Sequence, residues 1–225
     1  SSDFNRSFVM RRTVATLALA AFCPLGAQQP AAAAPASPPA GWTIRLDAKD
    51  STKSAGDTKF VAMGQGFHVT SGPAALYFNA TDMATGSYTV HATFGQRVAP
   101  AMGHPEAYGV FIGGTELSDN AKQQYFYFEV RGDGMYFVAH RAGPDVHKIV
   151  DWTANDAVKK QNEAGAVSNE VAMKVTADSV HMMVNGQIVK TFAKSALHGF
   201  QTDGQYGFRV NHGLNVHIGN FGIQQ

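Results

Sequence analysis

The chain has 225 residues, 44% of them hydrophobic, 11% aromatic and only 16% charged, a globular composition with enough apolar material for a substantial core. Lys and Arg number 18 against 17 Asp and Glu, so the net charge of +1 provides no basic field for nucleic acid. The single cysteine, Cys23, can neither close a disulfide within the chain nor build a thiolate zinc cluster.

Taken in chain order, residues 1–9 precede Met10 and read as upstream sequence outside any fold. Residues 10–27 read as an export signal: Arg11 and Arg12 give a positive start, and 13–22 form a short apolar run. That run is too short to cross a membrane, which takes about 20 apolar residues, so no transmembrane segment is expected. Cys23 raises lipid anchoring, but Phe22 stands where a small residue is expected, and Cys23 is read as leaving with the signal. The expected localisation is exported, periplasmic or secreted. Residues 28–40 are a Pro/Ala-rich tether, and the folded domain is expected over 41–225, opening at Trp42.

Within that domain the pattern has period two almost throughout. Runs at 60–63, 67–70, 75–78, 88–94, 108–112, 125–131, 135–141, 169–176, 180–184, 188–192, 206–211 and 214–223 are rich in β-branched and aromatic residues and are broken by Gly, Pro, Asn or Asp. Only 155–162 carries a helical pattern, with Asn155 placed to cap it. The expected fold is all-β: a two-sheet antiparallel jelly-roll sandwich with at most one or two short helices. In the segment 169–192, Val171, Met173 and Val175 share one phase, Val180, Met182 and Val184 repeat it, and Asn185-Gly186 closes a type I′ hairpin. Met173, Met182 and Met183 read as core filling.

That meander, followed by Asp203-Gly-Gln-Tyr-Gly-Phe-Arg-Val-Asn-His-Gly213 and a final strand ending in Asn220-Phe-Gly-Ile223, resembles the second half of concanavalin A-like and laminin G-like sandwiches. The blocks 103–114, 130–134 and 210–213 are similar to those of keto-disaccharide hydrolase-like domains and of secreted bacterial proteins of the same build. The resemblance implies a sandwich over nearly all of 41–225. As activity it implies either glycan recognition or hydrolysis of modified glycosides. The paired-carboxylate strand of laminarinase-type hydrolases, Glu-x-Asp-x-x-Glu, is not present.

Three groups of residues could carry chemistry. In Tyr125-Phe-Tyr-Phe-Glu-Val-Arg131, a core-facing Phe126, Phe128 and Val130 would leave Tyr127, Glu129 and Arg131 on the other face, an aromatic platform beside charges that bond hydroxyls. The loop His104-Pro-Glu-Ala-Tyr108 brings a His, a carboxylate and Tyr108 to a sheet rim, and Glu106 or Glu129 could serve as general acid or base. Arg209, Asn211 and His217 are out of phase with the apolar residues around them and are expected on the same polar face, with Trp152 as a platform at its rim. The nine His are scattered without metal-binding spacing, so no transition-metal site and no cofactor are expected. Calcium stays open, because Asp side chains and backbone carbonyls from distant loops can build a site without a local motif. No Gly-x-Ser-x-Gly elbow or phosphate-cradling loop occurs. The expected function is an exported carbohydrate-binding module whose partner is a glycan. A keto-disaccharide hydrolase-like enzyme is the alternative, and a non-catalytic envelope spacer the second alternative.

Overall fold

The computed structural model describes residues 38–47 and 57–225, apart from 102 and 198. The expected export signal and most of the tether lie outside the described residues. The described residues belong to one compact unit, built from fourteen strands in two antiparallel seven-stranded sheets. In chain order these are β1 (Trp42–Leu46), β2 (Lys59–Met63), β3 (Gly66–Thr70), β4 (Ala75–Ala84), β5 (Tyr88–Gln96), β6 (Ala107–Thr115), β7 (Gln124–Arg131), β8 (Met135–Ala142), β9 (Asp145–Ala154), β10 (Val167–Val175), β11 (Ser179–Val184), β12 (Gln187–Ala193), β13 (Gly204–Val210) and β14 (Asn215–Gln224). The first sheet runs β1-β4-β13-β6-β7-β8-β9 and the second β12-β11-β10-β5-β14-β3-β2.

The core lies between the sheets and is filled by the alternate residues of each strand. Phe126, Phe128 and Val130 of β7, Tyr206, Phe208 and Val210 of β13, and Val171, Met173 and Val175 of β10 all point into it. Each large side chain removed from water there contributes about 2–3 kcal/mol. Trp42 packs at the open end against Phe60 and Phe67 from one sheet and Phe208 from the other, with ring centroids 4.6–5.4 Å away.

Two strands escape the sequence pattern, β1 and β9. Both are sheet edges, each paired on one side only; β1 alternates but is just five residues long, and β9 is mostly exposed along its length with little alternation. The helix expected over 155–162 is instead a turn. Asn155 does cap it, its Oδ1 accepting from the Ala157 N–H at 2.9 Å, but the chain then turns away into the Asn169–Asn185 network. Asn169, fully buried, accepts from the Lys159 N–H (2.9 Å) and the Asn185 side chain (2.8 Å) and donates to Lys159 O (3.2 Å) and the Tyr108 hydroxyl (3.3 Å). Asn185-Gly186 closes the hairpin with φ of +50° and +78°, as a type I′ turn requires. Met173 and Met182 are buried in the core, but Met183 has the opposite phase and faces outward, lining a groove. A 3₁₀ turn spans Lys194–Ala196, and among the described residues no helix is long and apolar enough to cross a membrane.

Candidate functional site

The outer face of the first sheet is not an ordinary solvated surface. A second apolar cluster covers it, formed by Leu76, Phe78, Phe111, Tyr125, Tyr127, Phe137 and Ala139, with Leu117 from the β6–β7 loop and Trp152 from β9 packed alongside. Beside this cluster lies an ionic group drawn from three elements: Asp47 after β1, Glu129 in β7 and Arg209 in β13. Arg209 donates through Nη1 to Glu129 Oε1 and to the Asn211 side-chain oxygen, and through Nη2 to Asp47 Oδ2. Its guanidinium lies 5.2 Å from the centre of the Tyr127 ring. Arg209 and Glu129 are both buried, at 8% and 2% exposure.

Burial and charge act in opposite directions on the two carboxylates. Burial alone would raise Asp47, but Arg209, with Arg141 and Arg45 beyond it, outweighs that and holds the carboxyl below its ordinary range. At Glu129 burial dominates and Arg209 offsets only part of it, so the carboxyl is raised; the nearby charges of Asp47 and Glu106 add to the rise. One guanidinium shared by two buried carboxylates cannot fully compensate both. Burial also pushes the Tyr125 hydroxyl up to about 12.

Toward the open side of this face, Arg131 holds Asp133 in a bidentate pair at 2.8–2.9 Å and places its guanidinium 4.4 Å from the centre of the Trp152 ring, which also stacks on Phe137 at 4.9 Å. Gly132-Asp133-Gly134 is the turn between β7 and β8, so Arg131-Gly-Asp133 is a hairpin feature. Just before the start of β6, Glu106, with only 5% of its side chain exposed, contacts both His104 and His212.

Tyr127, Glu129, Arg131, Trp152, Arg209 and Asn211 thus share one face, as the alternation implied. Two expected members do not. Tyr108 has the same phase as Val110 and Ile112 and is fully buried between the sheets, stacked on Phe94 at 5.0 Å. His217 belongs to β14, in the other sheet, paired with His68 of β3. The sequence points to His104 beside Glu106 and to His212 beside Arg209 and Asn211, but not to the meeting of the two His at Glu106, and it does not single out Asp47 as the partner of Arg209. Asp47 follows directly on β1 and meets Arg209 only through the strand order of the first sheet, and the two His approach each other only because β6 and β13 are neighbours.

A groove of about 810 Å³ opens on the outer face of the second sheet and is lined by Thr89, His91, Thr93, Glu170, Lys174 and Met183 among others. Phe221, which also borders it, is packed into the core against Trp42 and Phe208. The groove therefore presents polar groups without a free ring, and the first sheet's face remains the better-equipped site.

No family model matches the chain, and no curated protein matches it. Solved structures do resemble it in fold. The carbohydrate-binding module CBM66 from Bacillus subtilis superposes with a TM-score of 0.59 at 9% identity, over 82% of this chain and 96% of that one. A Bacillus subtilis protein of unknown function with a galectin-like fold gives 0.58 at 10% identity, over 82% and 89%. A Bacteroides ovatus mixed linkage glucan GH16 in complex with a G4G4G3G product gives 0.54 at 9% identity, over 79% and 92%. The chain is thus an all-β sandwich of two antiparallel seven-stranded sheets, similar in fold to these carbohydrate-binding and galectin-like sandwiches.

Proposed function

We propose that this protein binds a carbohydrate on the outer face of its first sheet, as an exported module. The observation that carries the reading is the buried Asp47–Arg209–Glu129 group on the outside of a sheet. Removing three charges from water there is costly, and a spacer has no need of it. A preorganised binding face uses such a group to hold its working side chains in place. The accessible members are Arg131, Asp133, Trp152 and Asn211. They offer donors and acceptors for sugar hydroxyls beside an aromatic ring. The fold shared with a carbohydrate-binding module and a product-bound GH16 protein supports the same reading. The glycan is the partner in this account.

The test is binding of the full chain to a broad glycan array, followed by titration of Arg131→Ala. The variant loses affinity while its melting temperature changes little, because Arg131 is partly exposed and its pair with Asp133 is worth at most about 1 kcal/mol. Absence of any glycan that binds would overturn the proposal.

A second reading, hydrolysis of a modified glycoside as in keto-disaccharide hydrolase-like domains, is favoured by one observation. Glu129 is raised by burial and lies close enough to Glu106 to feel its charge, which is the setting in which a carboxyl acts as general acid. In that account Glu129 or Glu106 is the acid/base and Arg131 stabilises developing negative charge. Full turnover by both Glu106→Gln and Glu129→Gln on a responsive substrate would remove it.

A further inference from the structure

Glu106 stands one residue before β6, and the residue after it, Ala107, accepts a backbone hydrogen bond at 2.9 Å from Asn211, just past the end of β13. That bond places Glu106 beside His212. The loop carrying His104 is tied to the same turn, with the Ala101 N–H donating to Gly213 O at 2.9 Å. The turn is itself fixed by Ser71, whose hydroxyl donates to Asn211 O at 2.5 Å and accepts from the Leu214 N–H at 2.9 Å. Gly213 sits at φ +67°. The backbone therefore holds three side chains from two loops in one place without help from a ligand.

Glu106 Oε1 is 2.9 Å from His104 Nδ1 and 2.9 Å from His212 Nε2, and one ligand atom from each residue falls within 4.8 Å of the others. The two rings are steeply inclined, at 72°, with centroids 5.7 Å apart. The carboxylate is 5% exposed and the imidazoles 55% and 41%, so the group is closed on the protein side and open on the other. Among the described residues no Lys or Arg pairs with Glu106.

We propose that His104, Glu106 and His212 form a binding site for a divalent transition-metal ion, with zinc the best fit. Two imidazoles and a carboxylate are the donor set such ions take. Atoms bound at about 2.0–2.2 Å to one ion stand about 3 Å apart, so these three need to move little. A buried carboxylate calls for a compensating positive charge, and a divalent ion at this point would supply it. Three protein ligands on one side leave the solvent side for water or an oxygen of a bound molecule. Scattered His spacing in the sequence hides the site, because His104 and His212 meet only through the pairing of β6 with β13.

The full chain, stripped with EDTA and free of any sugar, is titrated with ZnCl₂ by calorimetry and with CoCl₂ by visible absorption. The expected result is one ion per chain with micromolar or tighter affinity, cobalt d–d bands that zinc displaces, and a zinc-dependent rise in melting temperature. His104→Gln and His212→Gln each weaken binding by about 100-fold or more, while their metal-free melting temperatures match the wild type because both rings are partly exposed. The two variants report independently, so a folding failure in one leaves the other to decide. No zinc binding at about 100 μM, or affinity unchanged in either folded variant, overturns the proposal. Because no carbohydrate is present, neither outcome bears on the glycan-binding reading.

Discussion

Arg209 and Glu129 are bonded to each other although their strands are not neighbours: both are registered opposite Gly109 of the intervening β6. The absence of a side chain at Gly109 leaves the space across which the guanidinium reaches the carboxylate. A Cβ built there would fall 1.9 Å from the backbone oxygen of Phe128 and 2.7 Å from Glu129 Cα. Gly109→Ala must therefore move the β6–β7 pairing itself. The expected loss is about 3 kcal/mol or more, a fall of about 6–12 °C in melting temperature for a domain of this size, measured by calorimetric melting.

Removing the cation of the ionic group should be costly. Arg209→Met leaves Asp47 and Glu129 buried without their partner, a loss of about 3–5 kcal/mol. Adding Glu129→Gln to that background should recover part of it, since one of the two stranded charges disappears. Denaturant titration of wild type, both single variants and the double variant gives the coupling, and additive effects would contradict the shared-guanidinium geometry.

Glu129 also predicts a pH dependence. Its carboxyl is raised in the folded protein, so above its unfolded value the native state binds more protons than the unfolded state, and stability falls as pH rises through the folded value. Glu129→Gln lacks this group. The difference in melting temperature between Glu129→Gln and wild type should therefore move in favour of the variant as pH is raised from about 4 to 8.

His140 acts with the opposite sign. It is buried against Phe200, with ring centroids 4.0 Å apart, and near His147. Burial first, and then His147, lower it from 6.5 to about 4. Between those values the unfolded chain binds the proton and the native state does not, so stability is lost as pH falls from 6.5 toward 4. His140→Phe should flatten the melting temperature over that window while leaving it little changed at pH 7.5.

The outward phase of β7 and β13 was readable because alternation fixes a side chain's face once the strand is known, and Tyr127, Glu129, Arg131 and Arg209 followed from it. Alternation does not say which sheet a strand joins. β13 and β14 are separated only by the Asn211–Leu214 turn, yet that turn crosses from one sheet to the other, and so His217 was assigned to the wrong face with its phase correct. Tyr108 was misplaced for a different reason. Read as part of the loop beginning at His104, it is the second residue of β6 and takes that strand's inward phase. The contacts of Asp47, His104 and His212 depend on which strands are neighbours, and a single sequence carries no local signal for that.

The order of strands in the sheets also fixes when the domain can assemble. β14 lies between β3 and β5, and β13 lies between β4 and β6. Each of these early strands keeps an open edge until the last two are made, and Trp42 meets Phe208 and Phe221 only then. Pairings so distant in sequence make folding slow. A chain emerging from the ribosome therefore stays without its finished core until β14 has been synthesised, and indole fluorescence from Trp42 should report the closing step.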